Sequence, residues 1–347
     1  MNIDSVPPPF HPNQSIEENS SHPMTMDEIG QIVEGDDPID EQTALRFAQL
    51  LKQPGFNPFE INSETKMSLL HKASLKGKTE IVRQILTSPA DLSVFDSAPF
   101  AENIKKNINT KEEVSQATAL IFACLNGHFE IAQMLIEAGA SIYEKNRRGQ
   151  TPLHLAACCG KENIVRLLID ASQLNLNYFN AQDNDSEATA LYFASNKGYS
   201  AIAQMLIEAG ASIDNADKGG LKPLHRAAWN GHFEITEMLI GAGASIDIAD
   251  KRGYTPLHGA AFNGHFKIVE MLIAASASID IADKTGHTPL HETALNGRFE
   301  MAEMLIAAGA SINSDSEEGF TPLHEAAQRG YENVVNAFFA AMLTERS

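Results

Sequence analysis

The chain has 347 residues, with 45 Asp and Glu against 26 Lys and Arg and a formal net charge of −19. That balance excludes nucleic acid and anionic membrane as main partners, since clustered Lys and Arg hold both; a solvated acidic surface is its ordinary consequence. Three cysteines (Cys124, Cys158 and Cys159) without framework spacing point to a reducing compartment. Neither a basic-then-apolar N-terminus nor a run of about 18 apolar residues is present, so no secretory signal and no membrane-spanning helix are expected.

In chain order, residues 1–23 are polar and punctuated by Pro7-Pro8-Pro9. Such a composition buries too little apolar area to offset chain entropy, and a disordered tail is predicted. Residues 24–62 hold two candidate helices. Thr25 can cap the first, with Asp27 and Glu28 in its opening turn. The second runs from Asp40 to Gln53, is apolar at Leu45, Phe47, Ala48, Leu50 and Leu51, and stops at Pro54-Gly55. The pair is predicted to cap the array that follows.

Residues 63–347 repeat themselves. Thr255-Pro256-Leu257-His258 returns as Thr288-Pro289-Leu290-His291 after 33 residues (288 − 255), and as Thr321-Pro322-Leu323-His324 one interval later. Lys222-Pro223-Leu224-His225 precedes it by the same interval, and diverged copies start at Ser68, Thr118, Thr151 and Thr189, making eight repeats. An interval of 50 (118 − 68) places an insertion near 89–114, read as an enlarged loop, and one of 38 (189 − 151) places another at 173–187. Within a repeat, Thr caps a helix and Pro takes its first position, where a missing N–H costs nothing. Paired Ala residues give that helix a small-residue face. A second helix such as Phe266–Ile273 carries an apolar stripe at i, i+3 and i+4, and Gly243 or its equivalent ends it in a left-handed turn. Ser172 and Ser276 stand where other copies have that Gly, so both are expected in the left-handed region, at about 1 kcal/mol each.

A Thr-Pro-Leu-His-x-Ala signature at this period resembles the ankyrin repeat, over most of the chain. The resemblance implies an all-α solenoid of helix-turn-helix units with short β-turn fingers. It implies a non-enzymatic module that recognises another protein through a concave face of fingers and first helices. It also implies that each signature His hydrogen-bonds the neighbouring loop. Successive signature His residues lie one repeat apart, about 8–10 Å for packed helices, whereas zinc needs its ligand nitrogens about 2 Å from the ion. No metal and no cofactor are therefore expected. Cys158 and Cys159 follow His154, but Cys124 occupies an Ala position and no Cys-His-Asp constellation has support, so no catalytic residue is expected.

Mapping the family pattern puts finger residues just before each signature and groove residues just before each central Gly. Leu221, Lys251, Arg252, Tyr254, His287 and Phe320 then become finger candidates for partner contact. Trp229, Asn230, Phe262, Asn263 and Leu295 become groove candidates. Aromatic residues with a basic fringe are the usual composition of binding hot spots; the competing reading has Trp229 and Phe262 packing sideways on neighbouring repeats. The expected partner is another protein, met by a monomer in the cytoplasm. The copies are unusually alike, Ile131–Ile142 and Ile202–Ile213 being the same twelve residues. That resembles the ankyrin proteins of intracellular bacteria, effectors that act on host proteins in the host cytosol. The alternative is the targeting portion of a larger enzyme whose catalytic domain lies outside this chain, favoured by the apolar last helix around Phe338 and Phe339.

Overall fold

Twenty helices and no strand make up the described residues of the computed structural model, which are 24, 26–35, 39–51, 53, 55–87 and 97–344. The tail expected at 1–23 lies outside them. Helices α1 (Met26–Glu34) and α2 (Glu41–Leu51) come first. Next are α3 (Leu69–Lys76) with α4 (Thr79–Leu86), then α5 (Ser97–Asn107) alone, then α6 (Ala119–Asn126) with α7 (Phe129–Glu137) and α8 (Pro152–Cys158) with α9 (Glu162–Ala171). After the short α10 (Leu176–Phe179) come α11 (Ala190–Lys197) with α12 (Ser200–Glu208), α13 (Pro223–Asn230) with α14 (Phe233–Gly241), and α15 (Pro256–Asn263) with α16 (Phe266–Ala274). The chain closes with α17 (Pro289–Leu295) and α18 (Phe299–Ala307), then α19 (Pro322–Arg329) and α20 (Glu332–Thr344). First helices pack on first helices along one row, from α3 to α19, and second helices form a row beside them. This is the two-layer stack in which each unit touches only its neighbours.

The two rows differ in what they bury. Ala123, Ala156, Ala227 and Ala260 of the first row are fully buried, and their small side chains let helix backbones approach closely. The second row contributes one leucine per repeat: Leu135, Leu168, Leu206, Leu239, Leu272 and Leu305 are all 0 % exposed. Burying one such side chain is worth about 1.5–3 kcal/mol. In α20, Phe338 is 0 % exposed while Phe339 and Leu343 are 52 % and 71 % exposed. No helix of the described residues is long and apolar enough to cross a membrane.

Lateral hydrogen-bond ladders tie the units together, and the signature residues build one of them. The Thr255 N–H donates to His258 Nδ1 at 3.1 Å, so that nitrogen carries no proton. His258 Nε2–H therefore donates to the His287 carbonyl at 3.1 Å. His71, His154, His225 and His291 reach Thr110, Ala181, Tyr254 and Phe320 carbonyls in the same way. In these five copies the signature His is scaffold, as the resemblance implied, while the exposed His324 of the last repeat is hydrogen-bonded to its own Thr321. A second ladder joins the fingers: Lys251 N–H donates to the Gly219 carbonyl, Lys284 to Arg252 and Glu317 to Thr285, at 2.8 to 2.9 Å. A third runs from Ser245 Oγ to Asp214 (2.8 Å) and from Ser278 Oγ to Asp247 (2.5 Å).

Two expectations need correction. Ser276 does sit in the left-handed region (φ 68), but Ser172 has φ −76, and Gln173 (φ 52) and Leu174 (φ 58) take the left-handed turn instead. The longer interval there lets the chain turn later and enter α10. The stretch near 89–114 is not simply a loop, because α5 occupies 97–107 and buries Ile104, with Ile108 buried just beyond its end. Pro99 is tolerated in its first turn, and Ile104 and Ile108 share one helical face.

Candidate binding face

The first-row helices and the fingers line one face of the solenoid, and its aromatic centre is built across two repeats. Trp229, in the last turn of α13, stacks on Phe262, in the last turn of α15, with ring centroids 5.3 Å apart and planes at 16°. Tyr254, on the finger before α15, meets Trp229 at 6.5 Å. Gly259 gives this stack room. A Cβ there would lie 3.1 Å from Trp229 Cε3, so the glycine leaves the indole its place on the helix, although Gly in a helix costs about 1 kcal/mol relative to Ala. All three rings are half-buried. The Arg252 guanidinium lies over the Tyr254 ring at 4.8 Å and pairs with Asp250 at 3.2 Å. Tyr254 Oη–H donates to the Glu292 carboxylate. Burial raises the pKa of both Tyr254 and Glu292, so the phenol stays a donor.

Trp229, Arg252, Tyr254 and Phe262 are thus brought together, and the sideways packing weighed against them is present as well: these rings lean on each other and stay half-buried. The other predicted residues do not join this cluster directly. His287 stacks on His291 at 5.2 Å and Phe320 meets His324 edge-on at 6.2 Å, so each leans on the signature ring of its own repeat, as Tyr254 does on His258. Asn230 and Asn263 use their amide NH2 on the carbonyls of Arg226 (2.9 Å) and Gly259 (3.1 Å), closing the last turn of their helices. Asn230 also reaches Asn196 Oδ1 at 3.2 Å. Lys251 is exposed, while Leu221 and Leu295 are half-buried.

Sequence reasoning passed over a polar row on the same face. Tyr192 Oη–H donates to Asp217 at 2.6 Å, and Arg226 Nε–H donates to Tyr192 Oη at 2.5 Å, with the guanidinium 5.3 Å from that ring. Arg226 and Glu292 occupy the variable position just after the signature His. Each lies three residues before a groove candidate, Trp229 or Leu295, and a spacing of three puts both on one helix face. In the earlier repeats that position holds Phe122 and Leu155, which form a separate apolar cluster with Met67, Leu75 and Leu125.

Burial keeps two of the three cysteines as thiols. Cys124 is 0 % exposed and burial pushes its thiol up, far from thiolate. Cys158 is half-buried and raised for the same reason. His154 cannot serve it as a base, because Nδ1 accepts from Thr151 and Nε2 donates to Ala181.

Helix pairs stacked in one direction, tied by lateral ladders and carrying their differing residues on one face, define a repeat solenoid made for recognition. The chain belongs to the ankyrin-repeat family. The family described as ankyrin repeats (3 copies) matches residues 41–146, 70–180, 142–217, 173–250, 215–284 and 257–343, and ankyrin repeats are protein–protein interaction modules. Similar proteins include the probable 26S proteasome regulatory subunit p28 of Saccharomyces cerevisiae, 36 % identical over 174 residues, which are 50 % of this chain and 68 % of that protein. The ankyrin repeat and KH domain-containing protein mask of Drosophila melanogaster is 32 % identical over 113 residues, 32 % of this chain and 3 % of that protein. The transient receptor potential cation channel subfamily A member 1 homolog of Caenorhabditis elegans is 28 % identical over 177 residues, 51 % of this chain and 13 % of that protein. Against these last two, the chain spans a small part of the relative's length.

Proposed function

We propose that this chain binds another protein, as a monomer and without catalysis of its own, through the face of first-row helices and fingers. Trp229, Tyr254 and Phe262 are the central anchors, with Arg252 and Lys251 as a cationic rim. Leu221, Asn230, Asn263, His287, Leu295 and Phe320 extend the contact on either side. The observation that carries this reading is the half-buried stack of Trp229 on Phe262 over Gly259: clustered Trp, Tyr and Arg still accessible in the free chain are the usual composition of a hot spot. Cytoplasmic recognition fits the free cysteines. The twelve-residue identity of Ile131–Ile142 and Ile202–Ile213 supports recent duplication, and with it the reading as an effector acting on a host protein.

The test is affinity pull-down from cytosolic extract with wild type beside Trp229→Ala and Tyr254→Ala, read by mass spectrometry. A partner retained by wild type and lost from both variants supports the face; a partner kept by both removes it. A second reading, the targeting portion of a larger enzyme, is favoured by the exposure of Phe339 and Leu343 at 52 % and 71 % on the last helix. It predicts an open reading frame with a catalytic domain joined to these repeats.

A further inference from the structure

One constellation on this face does more than line it. Asp283 and His287 stand on the finger before α17, and Glu292 stands in the first turn of α17. One ligating atom from each lies within 4.8 Å of the other two. Corresponding positions elsewhere do not reproduce the set. The preceding repeats have Asp250, Tyr254 and Gly259, and Asp217, Leu221 and Arg226; the following one has Ser316, Phe320 and Glu325.

We propose that Asp283, His287 and Glu292 form a site for a divalent transition-metal ion of the zinc class in the wall of the binding face. One imidazole and two carboxylates match the donors such ions take, and the imidazole selects against Mg2+ and Ca2+. Bonds of about 2.1 Å would set the ligating atoms of a tetrahedral site about 3.4 Å apart, so groups that already lie within 4.8 Å of one another must draw together slightly to hold an ion. Glu292 is 1 % exposed, and among the described residues no Lys or Arg pairs with it within 4.0 Å. A cation would neutralise this buried carboxylate, a role the Tyr254 hydroxyl cannot fill.

Hydrogen bonds hold two of the three ligands. Asp283 Oδ1 accepts from the Thr285 N–H (2.8 Å) and the His287 N–H (2.9 Å), which fixes the carboxylate and leaves Oδ2 for the ion. Tyr254 Oη–H holds Glu292 Oε1, leaving Oε2. The His287 ring is set parallel to His291, at 15° between planes. Hydrogen bonds of this kind orient ligands and tune their affinity. Three protein ligands leave a fourth position for water.

Zn2+ titration of the full chain by calorimetry tests the site, with Co2+ absorption as a second readout, in a Cys158→Ser, Cys159→Ser background that removes thiol competition. One equivalent should bind, with a visible Co2+ spectrum of nitrogen and oxygen ligation. His287→Tyr and Glu292→Gln should each weaken that equivalent by about 100-fold, and Tyr254→Phe, a positioning residue, by about 10-fold. Tyr254 already fills the finger position of His287 one repeat earlier, so His287→Tyr keeps the fold, and matching melting curves without metal check this. An equivalent whose affinity is unchanged in His287→Tyr and Glu292→Gln, or no equivalent tighter than about 1 mM, overturns the proposal.

Discussion

Acid should loosen this solenoid well before its carboxylates titrate, and His154 shows why. Its side chain is 1 % exposed, with Nδ1 accepting from the Thr151 N–H at 3.2 Å and Nε2–H donating to the Ala181 carbonyl at 2.9 Å. A proton added at Nδ1 would face an N–H, and burial holds the ring's pKa down from 6.5 to about 4. A base with a depressed folded-state pKa is protonated first in the unfolded chain. Its stabilisation is complete above pH 6.5 and is lost as pH falls towards 4. At about 1.4 kcal/mol per pKa unit, His154 alone removes about 2 kcal/mol between pH 7 and pH 5, and about 3 kcal/mol by pH 4. His71, His225, His258 and His291 are lowered by burial too and add in the same direction. Glu292 acts in the opposite sense, since burial raises its pKa and acid relieves it. Urea unfolding followed by circular dichroism at pH 7, 6 and 5, with the His154 ring titrated by NMR, measures both quantities. A midpoint that does not move between pH 7 and pH 5, or a His154 ring titrating near 6.5, would refute this reasoning.

Two pairs of substitutions test the backbone. Ser276→Gly should raise stability by about 1 kcal/mol, because Ser276 sits at φ 68, whereas Ser172→Gly should give no gain, because Ser172 sits at φ −76; thermal melts of the two side by side decide it. Gly253→Ala should cost about 2–3 kcal/mol, because at φ 92 the new Cβ would also lie 2.7 Å from Asp283 Cα and 2.8 Å from Lys284 N in the next finger. Gly319→Ala, at φ 79 with open space around it, should cost only about 1 kcal/mol, and equal losses in urea titrations would show that finger stacking adds nothing.

The fold was legible because its signals are local and periodic. Thr at the cap, Pro at the first position and His tied to the next loop are set within a few residues, and their recurrence marks each helix pair. What escaped depends on neighbours. The fate of Ser172 was decided by extra residues downstream that let the turn slip to Gln173 and Leu174. Helix α5 was hidden by Pro99 and Lys105-Lys106, which read as loop residues although the first is permitted in an opening turn and the others face water. On the proposed binding face, Trp229 and Phe262 stood out by residue type, but Gly259 gains meaning only from an indole of the preceding repeat. Glu292 likewise becomes informative only once Tyr254, His287 and Asp283 converge on it from two fingers.

The central claim is that the aromatic face recognises a partner, and affinity for the captured partner tests it most directly. Dissociation constants by calorimetry would be compared for wild type, Trp229→Ala, Trp229→Phe and Gln204→Ala, the last an exposed residue of the second helix row. Trp229 packs on Phe262 and Gly259, so its truncation also lowers stability, and the comparison belongs at a temperature where circular dichroism shows every variant folded. Trp229→Ala should weaken binding by about 30-fold or more, equivalent to about 2 kcal/mol, with Trp229→Phe intermediate and Gln204→Ala unchanged. A partner that binds folded Trp229→Ala as tightly as wild type, yet is weakened by Gln204→Ala, would place recognition on the other face and contradict the account.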